Sequence, residues 1–234
     1  KALASRANDE QRPPVRDAAD HSAILVLVHL YINRVDWDTP KGTEVDLYLR
    51  QQWQDERLKY DVDPRDEIHE ITVPDSVEVW VPDTYITSGR EREIDSDRTR
   101  TIVEPSGHVR SSQQRNVMLQ TSTGSSSPFG QQRTFTIRLS SYKYPIEDVV
   151  YLWTPGTAVI DVSNELLNGD IQFERASVGD CTGNYTVGTY SCIEMTLTFK
   201  TSTSSSIAKF FLPTSLLVIF SWLHMWLHGS WSVP

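Results

Sequence analysis

Apolar and polar residues alternate along most of the chain with the period of a β-strand. The most regular run is 192–200, in which Ile193, Met195, Leu197 and Phe199 alternate with polar residues. This alternation is typical of a strand that buries one face. Less regular versions of the pattern predict strands at 24–35, 44–53, 77–80, 100–104, 109–119, 134–139, 149–153, 158–162 and 172–176.

Turn signals separate these runs and predict an all-β domain. Serine- and threonine-rich stretches at 121–127 and 201–206 are expected to be loops, and 1–23 a flexible or partly helical lead-in. Helical patterns do not alternate with the strands, which excludes a parallel α/β fold. About ten short strands at this spacing indicate a β-sandwich or a barrel. The other turn signals are Asp63-Pro64, Pro74-Asp75, Pro82-Asp83, Ser106-Gly107, Gly124 and Pro155-Gly156.

The pattern changes at the C-terminal end, where 207–231 is strongly apolar. From Phe210 to Leu227 the chain has no Asp, Glu, Lys or Arg. A helix of this length nearly crosses a hydrocarbon layer of about 30 Å. Trp222, Trp226 and Trp231 lie towards its C-terminal side, where an aromatic belt would meet the membrane surface. The sequence predicts a transmembrane helix, and the alternative is a buried core helix.

Composition and charge narrow the functional class. The chain has 234 residues and a net charge of −9, so it lacks the basic balance of a nucleic-acid binder. The only two cysteines, Cys181 and Cys192, exclude a tetrahedral cysteine zinc site and suit one disulfide in an oxidising compartment. Asn184 begins the only glycosylation sequon, Asn-Tyr-Thr. These features favour an extracellular domain.

Catalytic motifs are absent from the sequence. It contains no nucleophile elbow, P-loop or dinucleotide fingerprint, so we expect neither an enzyme nor a cofactor. The acidic stretch 61–104 is interpreted as a solvated surface, with a divalent-cation site as the alternative. His224 and His228, four residues apart on the apolar helix, could bind a metal, but polar capping at a helix end is the simpler interpretation.

Tyrosines recur beside predicted turns and form the candidate binding chemistry. Tyr185 and Tyr190 both lie between the two cysteines, so a disulfide would close a hairpin that presents their rings. Aromatic rings from several loops can enclose a cation or an apolar ligand. The alternative is that each ring only fills a packing position. The other tyrosines of this kind are Tyr85, Tyr142 and Tyr144.

Six segments carry a resemblance to a known family. The segment 181–194, CTGNYTVGTYSCIE, has the cysteine spacing of loop C of glycine receptors and the same Ile-Glu after it. In chain order, the other segments are similar to loops D, A, E and B and to the first membrane helix, M1. The chain thus resembles Cys-loop receptors, or pentameric ligand-gated ion channels, of the glycine, GABA and glutamate-chloride branch. These five segments are 48–53, 80–85, 106–109, 141–144 and 212–222.

The resemblance implies a mainly β protein with an immunoglobulin-like β-sandwich extracellular domain and a C-terminal transmembrane α-helix. The ligand-binding sandwich would span 24–206 and M1 207–231, and 232–234 would begin the linker to a second membrane helix. The protein would be a homo- or hetero-pentamer in the cell membrane, surrounded by lipid, gated by a small-molecule ligand. The alternatives are a non-conducting protein of the acetylcholine-binding type and a single-span adhesion or carbohydrate-binding sandwich.

The resemblance also implies a ligand pocket between adjacent subunits. Arg50 and Arg110 suit an anionic group such as a carboxylate, and the tyrosines would hold an apolar or cationic remainder. Ser140 stands where amino-acid-gated relatives often carry an acidic residue, so glycine or GABA is not implied as the agonist. The principal face would comprise Tyr85, Tyr142, Tyr144, Tyr185, Val187 and Tyr190, and the complementary face Tyr48, Arg50, Arg110 and Ser112.

The sequence departs from the family at its signature disulfide. The corresponding loop would run from Thr121 to Phe135, and neither position is a cysteine. The receptor would therefore lack the Cys-loop bond, which favours an unusual invertebrate member of the family. Pro128 and Phe129 resemble the apex of that loop in reversed order.

Coupling between the ligand and the pore is expected at the membrane end of the sandwich. The resemblance places Lys200 beside the position of a coupling arginine and Asp38 at an acidic coupling position. An ion pair between them would join the binding domain to M1. The alternative is that they are two unrelated surface charges.

Overall fold

The computed structural model describes residues 13–14, 22–39, 42–63, 65, 69–74, 76–92, 98–119, 123–127, 130–156 and 160–229, without the side chains of 38–39 and 227–229. The strands are β1 (Ile24–Thr39), β2 (Gly42–Gln54), β3 (Ile71–Thr72), β4 (Thr84–Ile86), β5 (Gly89–Arg92), β6 (Thr99–Val103), β7 (His108–Leu119), β8 (Thr123–Ser127), β9 (Gly130–Ser141), β10 (Val149–Trp153), β11 (Ile160–Val162), β12 (Ile171–Asp180), β13 (Gly183–Tyr185), β14 (Gly188–Tyr190) and β15 (Cys192–Thr201). The helices are a 3-10 turn (Glu56–Leu58), α1 (Asn164–Asn168), α2 (Thr203–Ser206), a π-helical segment (Ile207–Phe211) and α3 (Leu212–Gly229).

Two sheets form a β-sandwich. Over the described residues, the larger one has eight strands, with the central order β10-β1-β2-β7-β6-β3, while β11 pairs with β1 and β5 with β7. In the same part of the chain, the smaller has five strands, with the order β12-β15-β9-β4 and β8 paired with β9. A separate hairpin pairs β13 with β14. The expected fold class, a mainly β sandwich with a C-terminal helix, is therefore confirmed.

The core lies between the inward faces of the two sheets. In β2 every second residue from Val45 to Trp53 is buried, as the alternation predicts. In β15 the side chains of Met195, Leu197 and Phe199 are fully buried and face them across the sandwich core. Phe135 of β9 stacks on Phe199 with the ring centroids 5.5 Å apart. Burial of these apolar side chains, about 2 kcal/mol each, holds the sheets together.

Several strand predictions differ from the structure at surface segments. The predicted strand 77–80 is irregular, because the Val77 N–H donates to the Pro74 carbonyl in a turn while Trp80 packs on Trp53. The predicted loop 121–127 is wrong over 123–127, which forms β8 as an exposed polar edge strand. The predicted loop 201–206 is wrong as well, since Thr201 ends β15 and Thr203 begins α2. Sequence analysis also missed the short strands β3, β4 and β5, whereas β13 and β14 form the hairpin expected between the two cysteines.

The apolar C-terminal segment forms a continuous helical stretch from α2 through α3. Residues Thr203–Trp226 are long and apolar enough to span a membrane, and none of this stretch is buried against the sandwich. Phe210, Trp222 and Trp226 are each more than two-thirds exposed, so the alternative of a buried core helix is wrong for the described residues. The Lys209 ammonium pairs with the Asp170 carboxylate and ties the start of this helix to the sandwich.

Candidate functional site

A carboxylate in the turn before β4 fixes the loop that follows β9. The Asp83 Oδ1 atom accepts a hydrogen bond from the Ser141 hydroxyl at 2.6 Å, and Oδ2 accepts from the backbone N–H groups of Tyr142 at 3.1 Å and Lys143 at 2.7 Å. The Tyr144 N–H donates in turn to the Ser141 hydroxyl oxygen. Hydrogen bonds to an ionised acceptor are stronger than neutral ones. The loop is therefore held in one conformation.

Four of the predicted tyrosines form a cluster beside this loop. The rings of Tyr85 and Tyr142 meet edge to face with centroids 5.9 Å apart, and those of Tyr185 and Tyr190 with centroids 6.1 Å apart. Burial raises the pKa of Tyr85 above its usual value, and Tyr185, Tyr142, Asp83 and Tyr190 add to the shift electrostatically. The hairpin that carries Tyr185 and Tyr190 is hydrogen-bonded to the loop that carries Tyr142, so the two ring pairs are neighbours. We call Tyr85, Tyr142, Tyr185 and Tyr190 the tyrosine cluster.

The other two residues expected on this face lie differently. Tyr144 is half-buried, its ring centroid is 6.1 Å from that of Trp80, and its hydroxyl accepts a hydrogen bond from the Trp80 indole N–H at 3.4 Å. Its ring therefore packs against the hydrophobic core. Val187 is 81% exposed, in the turn at the tip of the β13–β14 hairpin.

The hairpin that carries two of the clustered rings is closed by a disulfide. Cys181 and Cys192, the only cysteines of the chain, are bonded. Gly188 has a φ of +143°, a conformation that side chains disfavour, and it lets the chain reverse between β13 and β14. The Ile146 N–H donates to the Thr189 carbonyl at 2.8 Å and joins the hairpin to the loop after β9. Asn184 is exposed on β13, and whether it is glycosylated stays a prediction.

Buried serines anchor the base of the hairpin. The Ser140 hydroxyl donates to the Ser191 carbonyl at 2.9 Å, and the Ser191 hydroxyl accepts from the Tyr151 N–H at 2.9 Å. The Thr84 hydroxyl donates to the Tyr151 phenolic oxygen at 2.8 Å, and burial raises the pKa of Tyr151 strongly. The hydroxyl of Ser140 is thus engaged with the base of the hairpin.

Sequence analysis missed the supporting roles of Asp83 and Ser191. The Pro-Asp pair at the turn was a signal for Asp83, because aspartate often accepts hydrogen bonds from nearby backbone N–H groups at turns. No sequence signal identifies Ser191, since its contacts depend on how three separate strands meet.

The structure also brings together the four residues expected on the complementary face. Tyr48 and Arg50 on β2 share the outer face of the larger sheet with Arg110 and Ser112 on β7, and Arg50 pairs in register with Ser112. These side chains line an open groove of about 880 Å³. The rest of its lining comes from β2, β6, β7 and the residue before β6, and comprises Gln51, Gln52, Arg98, Thr99, Arg100, Ile102, Ser111 and Gln114.

The two predicted arginines differ in their electrostatic pairing. Arg110 contacts two carboxylates, that of Glu70 and that of Glu104, the latter at 3.3 Å. Arg50 is about half exposed, lies over the ring of Tyr31 and has one distant carboxylate, that of Asp161, at 4.0 Å. An exposed pair at that distance is weak in water. Arg50 is therefore more available to an anion than Arg110 is.

A histidine shares the carboxylate near Arg50. The Nε2 atom of His29 is 3.4 Å from the Asp161 Oδ2 atom, and His29 pairs in register with Arg50. Burial lowers the pKa of His29 below its usual value, and the charge of Arg50 lowers it further, while the attraction of Asp161 opposes both. Because burial is the largest of the three effects, the imidazole favours its neutral form at neutral pH.

The predicted coupling contact falls largely outside the described residues. The side chain of Asp38, the residues Pro128 and Phe129, and the side chain of His228 are not described. Lys200 has an acidic neighbour on β12, with its Nζ atom 4.0 Å from the Glu174 Oε1 atom. Over the described ranges, no group of three or more His, Cys, Asp or Glu side chains could hold a metal ion.

Comparison with known proteins identifies relatives that cover most of the chain. The profile of the neurotransmitter-gated ion-channel ligand binding domain matches residues 2–203. A glutamate-gated chloride channel of Drosophila melanogaster is 27% identical over 226 residues, which cover 92% of this chain and 48% of the relative. The glycine receptor subunit beta of Rattus norvegicus is 26% identical over 225 residues, which cover 92% of this chain and 45% of that protein.

A third relative, the glutamate-gated chloride channel subunit beta of Haemonchus contortus, is 27% identical over 237 residues, which cover 92% of this chain and 52% of that protein. This chain thus spans about half the length of these curated relatives. The family match and the membrane-span helix make this a cell-membrane protein whose β-sandwich is extracellular. The family match over most of its length, together with the β-sandwich and the disulfide-closed hairpin, shows that the chain belongs to the neurotransmitter-gated ion-channel ligand binding domain family.

Proposed function

We propose that this protein is a subunit of a ligand-gated ion channel that binds a small ligand between adjacent subunits. The observation that carries the proposal is the separation of the two candidate faces. The tyrosine cluster is carried by β4, the loop after β9 and the β13–β14 hairpin, whereas Arg50 lies on the outer face of the larger sheet. A ring of subunits would bring one subunit's tyrosine cluster against the groove that contains Arg50 and Arg110 on the next subunit. We call the lining of this groove the arginine face.

The relatives point to ligands with an acidic group. Two are named for glutamate and one for glycine, and both molecules carry a carboxylate. The Arg50 guanidinium suits a carboxylate, and the tyrosine cluster suits an apolar or cationic remainder. We infer a small organic acid as the ligand class.

Ligand binding would be coupled to the pore through a shift of the equilibrium between a state with the β13–β14 hairpin open and a state with it closed. A ligand that contacts the β13–β14 hairpin only when it closes over the pocket favours the closed state by its difference in affinity. Cys192 begins β15, which runs without interruption to Thr201 and leads directly into α2. Movement of the hairpin would therefore reach the membrane helix through one strand.

Molar mass in detergent is the first test. Light scattering corrected for bound detergent should give a pentamer, and glutamate or glycine should bind it with an affinity that falls at least tenfold in Arg50→Gln. Arg90→Gln, which removes an exposed charge on β5, is the matched control and should bind as the wild type does. A monomer that binds neither amino acid would contradict the proposal and would favour the adhesion alternative.

A further inference from the structure

The arginine face extends beyond the residues that sequence analysis selected. Ser112 on β7 pairs in register with Arg50 of β2 on one side and with Arg100 of β6 on the other. Adjacent strands lie about 4.8 Å apart, so two arginine positions about 10 Å apart flank one serine hydroxyl. All three residues line the same open groove. Two guanidinium groups can therefore reach the space above Ser112 from opposite sides.

Two arginines at the start of β6 have no carboxylate partner among the described residues. Arg98, just before β6, donates to the neutral amide oxygen of Gln114 at 3.0 Å, and the side chain of Arg100 has no hydrogen bond or ion pair within the described ranges. Arg110, in contrast, contacts the carboxylates of Glu70 and Glu104. Among the described residues, the groove therefore has a local surplus of positive charge, although the net charge of the whole chain is −9. Such a surplus attracts ligands of more than one negative charge.

The polar groups beside the tyrosine cluster are already engaged within the protein. Both Asp83 carboxylate oxygens already accept hydrogen bonds from the loop after β9. The Ser140 hydroxyl, at the position where amino-acid-gated relatives often place an acid, donates to the Ser191 carbonyl. Neither Asp83 nor Ser140 therefore offers an ammonium group an acceptor that is not already engaged.

We propose that the groove binds an organic dianion, a short dicarboxylate that needs no ammonium group. One carboxylate would be held by Arg50 and the other by Arg100, with the Ser112 hydroxyl donating a hydrogen bond between them. Charge-assisted hydrogen bonds to arginine add affinity, and the separation of the two guanidinium groups selects a ligand whose two carboxylates are similarly spaced. This inference rests on the proposed function, because it names the ligand class of the same site and adds Arg100 as the residue that selects a second negative charge.

Calorimetric titration of the detergent-purified full chain with three matched probes tests the inference. Glutarate has two carboxylates, glutaramate replaces one of them by a neutral amide, and glutamate adds an ammonium group to glutarate. We expect glutarate to bind about tenfold more tightly than glutaramate, and glutamate to bind no more tightly than glutarate. Equal affinities for glutarate and glutaramate, or a tenfold gain from the ammonium group, would overturn the inference.

Variants test whether Arg100 is the residue that selects a second negative charge on the ligand. Arg100→Gln should abolish the preference for glutarate over glutaramate and leave glutaramate binding within about twofold, whereas Arg50→Gln should weaken both. Arg90→Gln is the control for net charge and should keep the full preference. Because both arginine side chains are solvent-accessible, thermal unfolding should show intact variants.

The outcomes separate this inference from the proposed function. If both acids bind and Arg50→Gln weakens them, but Arg100→Gln changes nothing, the dianion inference fails and the proposed function stands. If neither acid binds the wild type, both fail.

Discussion

The carboxylate of Asp83 accepts a hydrogen bond from the hydroxyl of Ser141 at 2.6 Å, across 58 positions of sequence. This contact joins the turn before β4 to the end of β9. Tyr85 lies on β4 and Tyr142 in the loop after β9, so the contact holds together the two segments whose rings pair. The geometry of the tyrosine cluster therefore depends on a polar contact that involves neither ring. A ligand pocket built from loops needs such contacts, because loops have few apolar contacts to hold them.

Replacement of Asp83 should loosen the pocket. Asp83→Ala leaves the Ser141 hydroxyl and two backbone N–H groups without their acceptor, so we expect a loss of about 2 kcal/mol in the free energy of unfolding and weaker ligand binding. Denaturant titration and calorimetric ligand titration measure the two effects. Glu147→Gln removes an exposed charge from the same loop and should leave both unchanged. Wild-type stability in Asp83→Ala would show that the loop does not depend on this carboxylate.

Removal of a clustered ring should weaken ligand binding without unfolding the domain. Tyr142 is 76% exposed and Tyr190 lies on the hairpin, so Tyr142→Ala and Tyr190→Ala should each reduce ligand affinity about tenfold or more. Tyr144→Phe is a useful contrast, because its hydroxyl faces Trp80 and its loss should change binding little. Binding that is unchanged in both alanine variants would remove the cluster from the ligand pocket.

Loss of the disulfide should release the hairpin. The bond closes a loop with a sequence separation of 11, for which chain entropy predicts about 3 kcal/mol of stabilisation. The double variant Cys181→Ser/Cys192→Ser should unfold at a lower denaturant concentration and bind ligand more weakly, since the hairpin would have to be ordered on binding. The experiment compares it with the oxidised wild type. An affinity equal to that of the wild type would show that the hairpin is ordered without the bond.

Stability should fall on mild acidification because of His29. Its pKa is lowered in the folded protein, chiefly by burial, so the unfolded chain binds the proton more tightly. The contribution of His29 is fully present above about pH 6.5, the pKa of the unfolded chain, and is lost as the pH falls from there towards the folded pKa. Denaturant titrations at pH 7.5 and 5.5 should therefore show a larger loss for the wild type than for His29→Gln.

Other carboxylates titrate in the same range, so the difference between the two proteins is the informative quantity. A wild type that loses less stability than His29→Gln would mean that the attraction of Asp161 exceeds the cost of burial and that the His29 pKa is raised.

Strand formation at the centre of the sheets could be predicted from local pattern. The run 149–153 matches β10, and 192–200 matches β15 except for its last residue, because period-two alternation follows directly from burial of one face. The pattern failed at 123–127, where an exposed edge strand of serine and glycine has no apolar alternation to detect. It also failed at 77–80, where apolar residues pack on the core without strand pairing.

The sequence by itself determined the strand alternation, the apolar helix and the composition of the candidate faces, because each depends on residues close together in the chain. The tertiary structure decided which members of those sets act together. It turned Tyr144 towards Trp80, paired Arg110 with two glutamates, and aligned Arg50 and Arg100 on either side of Ser112. These relationships depend on strand register and on contacts between distant segments, and register is set by the packing of whole sheets rather than by any local pattern.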